Sequence, residues 1–101
     1  MPAARLPAFM DIEMTSHVFD TYAKKAKGGI MHFDVVIGEQ DPQKALACAK
    51  HWLETIGHAD ATVTQETCHF CHSVDEMPAE MQQQFDEVGY AIYKLEGCPK
   101  N

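Results

Sequence analysis

The sequence predicts an α+β domain: a two-layer sandwich of order β-β-α-β-α-β, in which two helices cover one face of a four-stranded sheet. Three observations predict it. SHVFDTY (16–22) and GIMHFDVVI (29–37) are rich in β-branched and aromatic residues and are joined by the glycine-ended linker AKKAKG, which is the pattern of a β-hairpin. Two segments carry apolar residues at spacings of three and four between clear start and stop signals. Each of those segments is followed by a further strand-like run, so strands and helices alternate after the hairpin.

Residues 1–15 contain two prolines and no sustained apolar period, and are expected to form a mobile extension before a single domain over 16–101. In the second strand Met31, Phe33, Val35 and Ile37 alternate onto one face, leaving Ile30, His32, Asp34 and Val36 on the other. The first helix has Asp41 as cap, Pro42 at its first position and Gly57 as stop. Leu46, Ala49, Leu53 and Ile56 form its apolar stripe, flanked by Ala45 and Trp52, with Cys48 beside them as a small buried side chain. ATVTQETCHF (61–70) is expected to be the third strand, running into the segment CHFCH. A second helix from Pro78 to before Gly89 would bury Met77, Met81, Phe85 and Val88, and GYAIYKLEG (89–97) supplies the last strand.

An apolar share of 46% and a charged share of 23% suit a folded soluble domain. With 8 basic against 15 acidic residues and a formal charge of -7, nucleic acid is not expected as a ligand, since binding to phosphate backbones rests on clustered positive charge. Lys24, Lys25 and Lys27 are better placed as a solvated hairpin tip. There is no membrane-spanning run, and the N-terminus lacks the unbroken apolar stretch of a secretory signal, so the expected location is the cytoplasm. In that reducing setting the four cysteines are expected to be thiols or metal ligands rather than disulfides. A homodimer is compatible with the composition, and no other partner is indicated.

CHFCH (68–72) concentrates sulfur and imidazole donors and admits four readings. Cys68-x-x-Cys71-His72 is the pattern of covalent haem attachment, but haem is disfavoured because attachment normally follows export. A zinc site would use Cys68 and Cys71 with two further ligands, for which His72 and Cys98 are the candidates. That set converges only if the third and fourth strands are neighbours running in the same direction. The third reading is a redox dithiol of Cys68 and Cys71, weakened because the next helix starts seven residues after Cys71, too far to stabilise a thiolate. The fourth is packing alone, in a non-catalytic interaction module without metal.

A second constellation lies on the strands. Alternation places Asp20 and Tyr22 on one side of the first strand and His32 and Asp34 on one side of the second, so a suitable hairpin register gathers all four on the sheet face away from the helices. A histidine flanked by carboxylates can act as a general base or a metal ligand. The competing reading is a solvated face with ordinary cross-strand pairs.

FDTY (19–22), IMHFDV (30–35), CHFCH (68–72), GY (89–90) and EGC (96–98), taken together, resemble a small bacterial family, the domain of unknown function 2024, over residues 17 to 98. The resemblance implies a compact α+β domain and leaves the activity open. It marks Asp20, Tyr22, His32, Asp34, Cys68, Cys71, His72 and Cys98 as positions of interest without assigning them roles. The functional expectation is a structural zinc site of Cys68, Cys71, His72 and Cys98.

Overall fold

The computed structural model describes residues 15–98 of the chain; the proposed N-terminal extension lies outside the described residues, apart from Thr15. Its elements are β1 (Ser16–Lys24), β2 (Ile30–Ile37), α1 (Pro42–Thr55), a single 3-10 turn (Gln65–Thr67), β3 (Cys68–Val74), α2 (Ala79–Val88) and β4 (Ala91–Glu96). This is the expected α+β order around one four-stranded sheet.

The β1–β2 hairpin is its centre. Its turn is closed by the Lys25 N–H donating to the Gly29 carbonyl at 2.9 Å and the Gly28 N–H donating to that of Lys25 at 3.1 Å. Gly28 and Gly29 sit at φ of 101° and 94°, a region that side chains with a Cβ rarely enter. From that turn the strands pair antiparallel, with Asp20 opposite Asp34 and Tyr22 opposite His32.

The two later strands take the two free edges of the hairpin, giving the order β3-β1-β2-β4. Both pairings are antiparallel. The condition on which the cysteine set depended, that the third and fourth strands are neighbours, is not met: they lie on opposite edges with the whole hairpin between them. A second correction concerns where β3 begins. Of the β-branched run before Cys68, Thr62 makes only an isolated bridge to Lys24. Thr64 and Thr67 then tie a local turn, the Thr64 N–H donating to Thr67 Oγ1 at 3.0 Å and the Thr67 N–H to the Thr64 carbonyl at 3.0 Å. Threonine hydroxyls that satisfy nearby backbone groups compete with ladder pairing, and here the turn wins. CHFCH is therefore strand throughout, not a loop at a strand end.

One face of the sheet carries the main core. Phe19, Ala23, Met31, Phe33, Val35 and Ile37 are buried there against Ala45, Ala49, Trp52 and Leu53 of α1, with the Phe33 and Trp52 rings 4.6 Å apart. The buried stripe of α1 is thus centred on Ala45, Ala49, Trp52 and Leu53, while Leu46 and Ile56 lie at its margin. Asp41 caps the helix, its Oδ1 accepting from the N–H groups of Gln43 and Lys44 at 3.1 and 3.3 Å.

Helix α2 lies against β4. Gln84 takes up the outward backbone of that edge strand, accepting from the Ile92 N–H at 3.1 Å and donating to the Ile92 carbonyl at 3.5 Å. Met77 and Met81 pack on a smaller cluster of Val18, Val36 and Ala91. Val88, expected to be buried, is 53% exposed. Beyond β4, Gly97 has φ of 74°, and a Cβ there would stand 2.2 Å from the Ile30 carbonyl oxygen, so the chain can pass β2 this closely only at glycine.

Candidate functional site

The hairpin register places Asp20, Tyr22, His32 and Asp34 on the face opposite the main core, because positions 20 and 22 alternate with the buried 19, 21 and 23. Asp20 is the hub of this group. Its Oδ1 and the Nε2 of His32 are in direct hydrogen-bond contact. An ionised carboxylate only accepts, so Nε2 carries the proton in that arrangement. The Tyr22 ring stacks on the His32 imidazole, with centroids 4.1 Å apart and planes 9° from parallel.

Directly across from Asp20 on β2, the Asp34 carboxyl is pushed above its ordinary value. Partial burial is the main cause, followed by the charge of Asp20 and a hydrogen bond between the two carboxyl groups; His32 and His72 oppose the shift. Desolvation and the same acidic neighbourhood, Asp20 first and then Glu96 and Asp34, push the Tyr22 phenol up, and Tyr22 also shares a hydrogen bond with Asp20. One ligand atom each from Asp20, His32 and Asp34 lies within 4.8 Å of the others, and all three side chains are half-buried. Among the described residues this is the one group of three or more cysteine, histidine or carboxylate side chains gathered so closely.

The cysteine set is not gathered. Cys68 points into the main core at 2% exposure, where its Sγ accepts from Thr21 Oγ1 at 3.4 Å. Burial pushes its thiol up, which disfavours the thiolate that ligation or attack needs. Cys71 is exposed, with His72 Nδ1 3.1 Å from its Sγ. Three residues along a strand span roughly 10 Å, against a Cα separation of about 4.4–6.8 Å for a disulfide. An internal Cys68–Cys71 bond therefore requires β3 to break. Cys98 follows β4 on the other side of the hairpin, where its Sγ donates to the His32 carbonyl at 3.5 Å, and burial raises its pKa as well. The zinc set of Cys68, Cys71, His72 and Cys98 rested on neighbouring third and fourth strands, and the sheet order separates those strands.

Two residues of CHFCH reach the polar face by a route the sequence does not show. His69 pairs across from Asp20, and His72 across from Val18, the residue two before Asp20. Histidines three apart on a regular strand point to opposite faces. The register shift between Val18 and Phe19 inserts Cys71 as an extra residue in β3, and this bulge returns His72 to the face that His69 occupies. On β4, Tyr93 pairs with Asp34 and Glu96 with His32, so the same face continues to the opposite edge.

No helix among the described residues is long and apolar enough to cross a membrane. Of the solved structures, the chain is similar to the NMR structure of protein NE1680 from Nitrosomonas europaea. The match has 49% identity and a TM-score of 0.73 over 85% of this chain and 100% of that one. None of the curated proteins matches. The family model described as Domain of unknown function (DUF2024) matches residues 14–95, a span that includes the hairpin, CHFCH and most of β4. The chain therefore belongs to the DUF2024 family.

Proposed function

We propose that this protein binds a divalent transition-metal cation, zinc among them, on the polar face of its sheet, with Asp20, His32 and Asp34 as ligands. The observation that carries the reading is the convergence of two carboxylates and one imidazole within 4.8 Å. Ligand atoms sharing an ion at bond lengths of about 2.1 Å stand roughly 3–4 Å apart, so small side-chain rotations close the site. Crowded carboxylates also favour a cation. Asp34 holds its proton more tightly than an ordinary aspartate because it is partly buried and Asp20 stands beside it, and an ion between them would replace that proton.

Three protein ligands leave coordination positions for water, so the site is open rather than a closed structural one. Such an ion can polarise a bound water or an oxygen of a small ligand. Asp34, whose carboxyl is pushed above its ordinary value, must give up its proton to bind the ion, which links affinity to pH through proton release.

Calorimetric titration of chelator-treated protein with Mn²⁺ and Zn²⁺ tests the proposal. One site per chain is expected, weakened about tenfold or more by Asp20→Asn or His32→Gln. Absence of binding, or binding that survives both substitutions and disappears with Cys71→Ser, would end it.

A further inference from the structure

The histidines of CHFCH supply the next step, which rests on the cation reading above. We infer that His69 and His72 of β3 add imidazole donors to the Asp20–His32–Asp34 site and thereby give it a preference for zinc-like ions over manganese.

The placement comes from the bulge at Cys71. It sets both imidazoles on the face that carries Asp20 and Asp34, although their spacing in a regular strand would divide them between the two faces. His69 stands directly across from Asp20, and neighbouring strands are about 4.8 Å apart, within the reach of a side chain leaning over the ladder. His72 pairs with Val18, whose side chain is buried, and acts electrostatically on Asp34 two strands away. Both histidines are exposed, so they can turn toward an ion without disturbing packing. The bond of His72 Nδ1 with Cys71 leaves Nε2 as its free donor.

The chemistry follows from the donor count. Two carboxylates and one imidazole accept a hard ion such as Mn²⁺ as well as zinc, with zinc the tighter, and each added imidazole widens that gap toward the later, softer ions of the series. Bulges near sheet edges are a recurrent way to re-aim side chains at a site. In this reading the sulfur of Cys71 is not a ligand; the residue serves as the extra position that aims its neighbours.

The test compares the Zn²⁺-to-Mn²⁺ affinity ratio of the full chain with that of His69→Gln, His72→Gln and the double variant, with thermal melting to verify folding. The expected result is a zinc affinity at least about tenfold lower in the double variant, Mn²⁺ affinity changed much less, and an unchanged melt without metal. Zinc and manganese affinities that both stay at the wild-type level in the double variant would overturn the histidine role while leaving the three-ligand site standing. A wild-type protein that binds neither ion overturns both. Cys71→Ser, which keeps the bulge, should retain the zinc preference, and its loss there would make the thiol the ligand instead.

Discussion

The two faces of the β1–β2 hairpin are built from alternate residues of the same strands, yet they have opposite contents. On one, Phe19, Ala23, Met31, Phe33, Val35 and Ile37 close against α1. On the other, Ser16, Val18 and Val36 are buried, at the end where Val74, Met77 and Met81 pack, while Asp20, Tyr22, His32 and Asp34 stay half-buried or exposed. Because one face supplies the main core, the other is free to hold ionisable groups close together at little cost in packing. The largest effect that sharpens this contrast is on stability. Phe33→Ala should cost about 3–5 kcal/mol, the usual result of emptying a buried aromatic site. Tyr22→Ala should cost about 1 kcal/mol through loss of its stacking on His32. Chemical denaturation of the two variants measures both, and equal losses would refute the division of labour between the faces.

The same contrast divides the cysteines of one motif. Cys68→Ser should destabilise by roughly 1–2 kcal/mol, since a hydroxyl in the apolar core has Thr21 as its one evident partner. Cys71→Ser, at an exposed position, should remain within about 0.5 kcal/mol of the wild type. Alkylation followed by mass spectrometry gives a second readout. Cys71 should react first and Cys68 only as the domain opens, so equal rates would contradict the inward orientation of Cys68.

Why some of this was legible in the sequence and some not has a physical basis in particular residues. The alternation of Phe19, Asp20, Thr21 and Tyr22, and of Phe33, Asp34 and Val35, fixes which side chains share a face, and turn glycines locate the hairpin that brings the two strands into register. Asp41-Pro42 marks the start of α1 by a local capping geometry. Strand order is different, because both edges of the hairpin offer equivalent backbone donors and acceptors to any later strand. The choice that sends β3 to β1 and β4 to β2 is made by tertiary packing, and it separates Cys98 from Cys68 and Cys71. The bulge at Cys71 is equally hidden: nothing in CHFCH distinguishes a regular strand from one with an inserted residue, so the arrival of His69 and His72 on the polar face emerges only with the register.

The smallest expected effect concerns Asp34 and has a sign that depends on both pH and metal. Partial burial and the neighbouring Asp20 raise its carboxyl above the ordinary value of 3.8. A carboxyl whose folded pKa is raised favours folding in its protonated form; that contribution is full below the unfolded value and is lost as pH rises through the folded one. In metal-free protein Asp34→Asn keeps a neutral donor toward Asp20 at every pH. It should therefore melt slightly above the wild type at neutral pH, the gain kept small because Asp34 is partly solvated and its charge screened. The advantage should shrink as pH falls and vanish below 3.8, where the wild-type carboxyl is protonated in both states. Added Zn²⁺ should reverse the order at neutral pH, since the ion stabilises the folded wild type by mass action and the variant lacks one ligand. Thermal melts of both proteins across pH, with chelator and with metal, measure each part. A variant less stable than the wild type in chelator at neutral pH would mean that Asp34 is held there by a favourable partner, and the polar face would then be a set of satisfied pairs rather than a site lacking its cation.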